Sequence, residues 1–200
     1  MDFAVLALTF GAIFVVELPD KTFIAALVLS TRYRPLMVWI GVGLAFLVQT
    51  LIAVSVGQVA TLLPEGVVKG VAAAIFLIGG ALLLREAPKA DAEEAETEQE
   101  YAAKATETRT GFKAVLASFL VLFAAEWGDL SQLLTISLVG RYHEPVAVFL
   151  GAWGALLTVS GLACLAGRFL LRHIRLALIH YLGAAVCFLL AGFTVYELLV

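Results

Sequence analysis

Charged residues are scarce in this chain of 200 residues: Asp, Glu, Lys and Arg together make up only 14% of it. Soluble globular proteins carry about 25% charged and about 45–50% apolar residues. Here hydrophobic residues reach 62%, and the mean hydropathy is +1.00. This balance excludes a soluble enzyme domain and a disordered tail, and it predicts a single polytopic membrane domain.

Cysteine is nearly absent, because only Cys164 and Cys187 occur and both lie inside apolar stretches. The apolar composition excludes a disulfide-stapled secreted module, and because the two cysteines form no C-x-x-C motif we interpret them as small hydrophobic side chains. No basic cluster is large enough to predict nucleic-acid binding. The N-terminus also lacks the positive start and the cleavage site of a signal peptide, so the first apolar stretch is predicted to be a true span.

Long apolar runs, in contrast, are abundant. A helix needs about 20 apolar residues to cross a bilayer. Six stretches are long enough: 3–29, 37–60, 67–84, 113–139, 146–167 and 176–199. The segment between the third and the fourth is rich in Ala, Glu and Thr, which predicts a mobile loop or a short solvated helix. We therefore predict three parts: a three-helix repeat over 1–84, a charged cytoplasmic linker over 85–112, and a second three-helix repeat over 113–200.

The positively charged residues predict how these spans are oriented. Cytoplasmic loops carry an excess of Lys and Arg. Ten such residues lie on the linker side, two lie on the other side, and Lys21 lies within a span. The linker is therefore expected in the cytoplasm and both termini outside it. The ten are Arg32, Arg34, Arg85, Lys89, Lys104, Arg109, Lys113, Arg168, Arg172 and Arg175, and the two are Lys69 and Arg141.

The two halves of the chain repeat one acidic motif. ELPDKT at 17–22 corresponds to EWGDLS at 126–131, and the offset of 109 residues also relates Arg32-Tyr33 to Arg141-Tyr142. Gly41 matches Gly151 after a one-residue insertion. Related halves with three spans each must enter the membrane in opposite directions. The sequence therefore predicts an all-α membrane protein with six transmembrane helices in two inverted-topology repeats, an arrangement that places substrate sites at the repeat interface.

Four acidic residues lie inside these apolar spans: Glu17, Asp20, Glu126 and Asp129. A carboxylate at the centre of a membrane costs at least about 2.5 kcal/mol, so something must offset the charge. The i, i+3 spacing places each pair on one helix face, and Thr22 or Ser131 follows closely. If the repeats pack about a pseudo-twofold axis, all these oxygens face one pocket. Oxygen ligands without Cys or His predict a site for Mn²⁺, Ca²⁺ or Mg²⁺.

Neighbouring residues add details to this hypothesis. Pro19 and Gly128 lie between the two acids of each motif and predict a helix break there. Lys21 is expected to be a counter-ion of the nearby acids, and Gln132 is either a further oxygen ligand or an interhelical hydrogen-bond donor, as expected for Gln49. Because clustered carboxylates repel one another, an empty site is expected to hold protons that an arriving cation displaces. The acid cluster thus predicts cation/proton exchange.

At both motifs the sequence resembles the Gdt-one family of manganese and calcium transporters, whose paired signatures read E-x-G-D-K/R-S/T. The resemblance covers essentially the whole chain, with departures at Pro19 and at Leu130, where the family has glycine and a basic residue. It implies Mn²⁺ or Ca²⁺ transport in exchange for protons. The short chain, without an N-terminal extension, is similar to prokaryotic members and implies Mn²⁺ export across a plasma membrane. Matched by position, the implied cation ligands are Glu17, Asp20, Thr22, Glu126, Asp129 and Ser131.

We therefore predict a secondary transporter of divalent cations, Mn²⁺ before Ca²⁺, rather than an enzyme, with no cofactor besides the transported ion. One alternative is a small exporter of amino acids or other organic solutes, which four clustered acids fit poorly. An intramembrane hydrolase would need a His or an activated nucleophile beside the motifs. A structural membrane subunit with buried ion pairs is the remaining alternative, and the sequence leaves the oligomeric state open.

Overall fold

The structure is a computed structural model that describes residues 2–18, 20–104, 110–173 and 176–199. Within these ranges the secondary structure is helical, without a β-strand. Pro19, Arg109 and Arg175, which the sequence analysis singled out, lie outside the described residues. The helices are α1 (Phe3–Glu17), α2 (Lys21–Arg32), α3 (Pro35–Ala60), α4 (Glu65–Glu86), α5 (Ala90–Lys104), α6 (Phe112–Ala125), α7 (Leu130–Tyr142), α8 (Pro145–His173) and α9 (Leu176–Leu199).

The helices account for four to six membrane spans. By length and composition α3, α4, α8 and α9 can each cross a membrane alone, and the pairs α1–α2 and α6–α7 can do so together. Each pair is bent by 71° at its break. The first and fourth predicted spans are therefore each two helices joined at an acidic motif. With each pair counted as one broken span, the chain has the six spans that the sequence predicted.

The break in the second motif has a well-defined geometry. α6 ends at Ala125, and Gly128 adopts a left-handed backbone with φ = 80°, which a residue with a Cβ would adopt only under strain. Asp129 then caps α7, because its carboxylate accepts a hydrogen bond from the Ser131 N–H at 3.2 Å. In the first motif α1 ends at Glu17 and α2 begins after Asp20. Both motifs therefore interrupt a helix between the two acids.

Equivalent helices of the two repeats make equivalent contacts. Gly41 of α3 lies so close to α6 that an added Cβ would collide with the Val115 carbonyl oxygen. Gly151 of α8 lies in the same way on α1, where a Cβ would stand 2.6 Å from the Leu6 carbonyl oxygen. The offset that relates the motifs also relates two stacked ring pairs, with centroids 5.8 Å apart in Phe10–Phe14 and 5.4 Å apart in Phe119–Phe123. The two halves are structural repeats, and these contacts bring both motif helices into the interior.

The linker contains a helix that the sequence predicted only in part. α5 exposes Glu96, Glu98 and Glu100, as expected of a solvated segment, but Tyr101 is only 5% exposed. The helix packs against α2 and α9. Their repeat equivalents, α7 and α4, pack directly on each other, with the Leu130 side chain lying against Gly79. The linker helix is therefore packed into the helical bundle. Because it packs against α2 and α9, whose equivalents contact each other directly, it makes the two repeats differ.

A buried arginine ties α7 to α9 at the end of the molecule where α7 stops. The Arg141 guanidinium donates hydrogen bonds to the Thr194 hydroxyl and to the Leu190 carbonyl, and it lies 3.4 Å from a carboxylate oxygen of Glu197. Its repeat equivalent, Arg32 at the end of α2, is exposed. Arg141 thus anchors the C-terminal end of α7 to α9. The exposed Arg32 does not anchor α2 in this way.

The two close glycine contacts can be tested by adding one methyl group. Gly41→Ala and Gly151→Ala should each lower the free energy of unfolding by about 1–3 kcal/mol, because backbone atoms of the facing helix must move. Gly154→Ala is the matched control, since its Cβ would meet the Phe10 ring at an ordinary 3.8 Å. Thermal unfolding of the purified protein in detergent measures the effect. Wild-type stability of both tight variants would contradict the packing of the repeats.

Candidate metal centre

The two acidic motifs meet in the interior of the molecule. Glu17 is the last residue of α1, and Glu126 follows the last residue of α6. α1 packs against α7 and α2 packs against α6, so the two helix breaks face each other across the repeat interface. Segments that are 109 residues apart in sequence therefore form one site.

Three carboxylates converge at this interface. Glu17, Glu126 and Asp129 each offer one oxygen, and these oxygens all lie within 4.8 Å of one another. Oxygens that bind one Ca²⁺ at about 2.3–2.6 Å lie at most about 5 Å apart, so the spacing fits a single ion of this kind. Only 1% of the Glu17 surface and 3% of the Glu126 surface is exposed. Asp129 is half-buried, so the trio is a largely buried, oxygen-only candidate site for a divalent cation.

Asp20, the fourth predicted acid, lies beside the trio rather than within it. One of its carboxylate oxygens lies 3.5 Å from the Thr22 hydroxyl oxygen. It also lines, together with Asp129, the two cavities that reach the site. Asp20 therefore stands between the trio and the approach from solvent.

The two predicted hydroxyl residues face both glutamates. The Thr22 hydroxyl donates a hydrogen bond of 2.7 Å to the Glu17 carboxylate. Thr22 also lies against Glu126, and Ser131 lies against Glu17, so that each hydroxyl faces the glutamate of the other motif. Both hydroxyl residues are buried. The six residues of the doubled motif are brought together, and their polar atoms at the centre are all oxygens.

The buried acids lack the partners that a structural role requires. One oxygen of Glu17 and one of Glu126 accept no hydrogen bond, although both atoms are buried. Among the described residues, no Lys, Arg or His lies within ion-pair distance of the four acids. Breaking a buried ion pair by removing one partner costs about 3–5 kcal/mol, and a buried carboxylate that never had a partner carries a penalty of the same kind. A bound cation, or protons on the carboxylates, would remove this penalty.

The sequence predicted Lys21 as a counter-ion of the acids, but its charge acts on Asp20 only from beyond ion-pair distance. It is exposed, makes no ion pair with Asp20 or Glu17, and lines the cavity on the linker side. Lys21 follows the break as the first residue of α2, and at that position its long side chain reaches solvent. The alternative of a structural subunit whose acids pair with Lys21 loses its basis in this geometry.

Gln132 takes part in a hydrogen-bond network beside the site. Its side-chain oxygen accepts the Gly128 N–H at 3.0 Å, and its side-chain amide donates to the Gln49 oxygen at 2.7 Å. Gln49 in turn donates to the Phe123 carbonyl oxygen at 2.9 Å. Gln49 thus makes the expected interhelical hydrogen bonds, and Gln132 uses its oxygen on the backbone of the break. Its contacts are those of the interhelical alternative, and a role as a cation ligand stays a prediction.

The site is open on the side of the linker. A cavity of about 640 Å³ lies between α2, α5 and α6, and a second of about 290 Å³ lies between α4 and α7. Asp20, Asp129 and Glu86 line both. On the other side of Glu126, between α3 and α7, lies a cavity of only about 10 Å³. The linker side therefore offers a cation far more room to approach the acids than the small cavity beyond Glu126 does.

Tyr101 and Glu86 are site neighbours that sequence reasoning missed. Tyr101 of α5 lines the larger cavity, and burial, helped by the charges of Asp20, Glu100 and Glu126, raises the pKa of Tyr101 to about 12. Its hydroxyl therefore keeps its proton at neutral pH. The sequence did hold a sign that Tyr101 packs against the protein, because it is the one aromatic residue between 85 and 111. A fully solvated linker has no use for an aromatic side chain.

Comparison with known proteins identifies the family of the chain. The family model described as "Divalent cation/proton antiporter GDT1" matches the chain over residues 5–91 and again over residues 114–199. The chain belongs to this family. The double match is compatible with two repeats, and it identifies the chain with a family of transporters rather than of enzymes. No solved structure matches the chain.

Several GDT1 relatives are similar over most of the chain. A GDT1-like protein of Synechocystis sp. is 32% identical over 183 residues, which cover 88% of each chain. The chloroplastic PAM71-homolog of Arabidopsis thaliana is 31% identical over 92% of this chain and 57% of its own length. The chloroplastic GDT1-like protein 2 of Oryza sativa subsp. japonica is 31% identical over 91% of this chain and 58% of its own. The chain therefore spans somewhat more than half of these two chloroplast relatives.

Metal-dependent stabilisation tests the carboxylate trio. At a Mn²⁺ concentration of about 100 times Kd, a cation that binds only the folded protein adds about 2.7 kcal/mol of stability. For a chain of this size that raises Tm by roughly 5–10 °C. Glu17→Gln and Glu126→Gln should remove most of this rise, because each takes one charged ligand from the trio.

Glu98→Gln is the matched control for this measurement, since Glu98 is exposed on α5. It should keep the full rise in Tm with Mn²⁺. A rise of wild-type size in both trio variants would show that Mn²⁺ binds elsewhere.

Proposed function

We propose that this protein exports Mn²⁺ across the plasma membrane of a prokaryote in exchange for protons, with Ca²⁺ as a second substrate. The observation that carries the proposal is the trio of carboxylates at the repeat interface, in which both glutamates are buried and each has an unpartnered oxygen. Membership of the GDT1 family of divalent cation/proton antiporters supports the same chemistry.

The donor set supports a hard divalent cation. Three carboxylates and two hydroxyls surround the centre, and no sulfur or imidazole ligand belongs to the cluster among the described residues. Oxygen ligands suit Mn²⁺, Ca²⁺ and Mg²⁺, whereas Zn²⁺ and copper prefer sites with nitrogen or sulfur. Mg²⁺ dehydrates reluctantly and keeps several waters, so a site with two almost fully buried glutamates is a poor fit for it.

Charge balance couples the cation to protons. In the empty site, neighbouring carboxylates without a cationic partner are stabilised by holding protons. A divalent cation that binds the trio replaces this stabilisation, and the release of two protons would leave the charge of the site unchanged. When the cation leaves on the opposite side, protons bind again. The buried acids therefore alternate between a metal-bound and a protonated state, which is the chemistry of an antiporter.

The opening on the linker side supports a direction of transport. The linker side carries ten of the twelve Lys and Arg residues outside the spans, so we place it in the cytoplasm and both termini outside the cell. A cation that enters from the cytoplasm passes Asp20 and Asp129 before it reaches Glu17 and Glu126. Alternating access would then require the small cavity beyond Glu126 to widen.

Transport in proteoliposomes tests the proposal. An inward Mn²⁺ gradient should drive protons out of the vesicle lumen, and an imposed pH difference should accelerate Mn²⁺ uptake. Asp129→Asn should lower the initial uptake rate at limiting Mn²⁺ about tenfold or more, because a charged ligand contributes about 1.5–3 kcal/mol. Internal pH and Mn²⁺ are followed together with fluorescent indicators, with Ca²⁺ as competitor.

Asp2→Asn serves as the control for this assay. Asp2 caps α1 at an exposed position, and Asn caps a helix as well as Asp does. The control should transport at the wild-type rate. Mn²⁺ flux that moves no protons and ignores the pH difference would refute the antiport, and an absence of flux would refute the transporter.

A further inference from the structure

We propose that Gln49 and Gln132 form a positioning pair that holds the helix break of the second motif in the shape that presents Glu126 and Asp129 to the cation. The inference rests on the proposed function, because it assigns the pair a role in the cation site. It also assigns that role to the second repeat alone.

The pair satisfies backbone groups that the break leaves without partners. A helix end exposes carbonyls in its last turn and N–H groups in the first turn of the helix that follows, and at membrane depth such groups must find partners. Gln49 donates to the carbonyl of Phe123 in the last turn of α6, at 2.9 Å. Gln132 accepts the N–H of Gly128, which lies just before α7, at 3.0 Å.

The two glutamines join these contacts into one chain. The Gln132 side-chain amide donates to the Gln49 oxygen at 2.7 Å, so that the hydrogen bonds run from α6 through α3 to the break. α3 crosses the molecule as one unbroken helix, which makes it a rigid support. The break is therefore tied on both sides to an element that does not itself bend.

The geometry of the break explains why such a support matters for the acids. Gly128 has φ = 80°, a region that a glycine can also leave easily. Asp129, the next residue, belongs to the carboxylate trio and caps α7. Gln132 occupies the third position of α7, where a glutamine side chain reaches back toward the start of its helix. The hydrogen bond to the Gly128 N–H thus selects one conformation directly before a cation ligand.

The same hydrogen bonds argue for positioning rather than ligation. Both glutamines line the small cavity beside Glu126, and Gln49 is only 4% exposed. The oxygen and the amide of each side chain already have partners, whereas the trio carries unpartnered oxygens. Hydrogen-bonded neighbours that orient metal ligands typically contribute a factor of about 10–100 in metal affinity.

The first repeat lacks this pair. The repeat equivalents of Gln132 and Gln49 are Phe23 and Val159, and both are buried apolar residues. Asp20 makes no side-chain cap on α2, in contrast to Asp129 on α7. The two halves of the site are therefore held differently, with the second break fixed by polar contacts.

Substitution of either glutamine by methionine tests the pair, because methionine has a similar length and no amide. Gln49→Met should weaken Mn²⁺ binding about 10–100-fold by titration calorimetry of the purified protein. Gln58→Met on the exposed side of α3 is the matched control and should bind like the wild type. If Gln49→Met does not fold, Gln49→Asn keeps the amide on a shorter side chain, and wild-type affinity in that variant overturns the proposal.

The double variant separates positioning from ligation. If the two residues act as one unit, Gln49→Met with Gln132→Met should bind Mn²⁺ no more weakly, within about twofold, than Gln49→Met alone. If Gln132 is a cation ligand, its loss should weaken binding further in the Gln49→Met background. That result would overturn the proposal.

Hydrogen exchange of the Gly128 amide gives a readout that needs no metal. Exchange should be slow in the wild type and at least tenfold faster in Gln49→Met and in Gln132→Met, while Gln58→Met stays slow. If the wild type binds no Mn²⁺ but its Gly128 amide exchanges slowly, the proposed function is refuted, whereas the support of the break by the glutamine pair is not. If both glutamine variants show the exchange rate and the Mn²⁺ affinity of the wild type, the positioning role of the pair is refuted. The proposed transport function is then unaffected.

Discussion

The structure depends on the cost of keeping carboxylates away from water without a positive partner. Glu17 and Glu126 are almost completely buried, each has an oxygen without a hydrogen bond, and no basic side chain among the described residues lies close enough to pair with them. An arrangement of this kind is stable only if a cation or protons share the site. A bound cation and bound protons each lower the cost of burying these carboxylates. Because they use the same oxygens, binding of the cation displaces the protons and the reverse.

The helix breaks and the glycine contacts serve this site. In a continuous helix the two acids of each motif would lie on a regular helix surface. The 71° bends instead turn both motifs toward the repeat interface, and Gly41 and Gly151 let the facing helices approach at backbone distance. The repeats are alike in these contacts. They differ where α5 packs between α2 and α9, where Arg141 anchors α7, and where glutamines support only the second break.

The sequence predicted the part of the fold that chain length, duplication and buried charge determine. The doubled motif identified the acids and hydroxyls that the structure brings together, and Gly128 marked the second break. The 71° angle of the bends, the packing of Tyr101 into the protein interior and the exposure of Lys21 were not predictable from the sequence. Spans that are apolar on every side carry no periodicity that tells an inner face from an outer one, so tertiary packing decides which side chains meet. Gln49 was expected to bond between helices, but its partners follow only from the way α3 crosses the break.

The most direct test of the account is the position of bound Mn²⁺ by anomalous scattering from crystals of the metal-loaded protein. The account predicts one ion held jointly by carboxylate oxygens of Glu17 and Glu126, from opposite repeats, with Asp129 as a third ligand. An ion held by one motif alone, two ions on separate motifs, or an ion outside the repeat interface would contradict it.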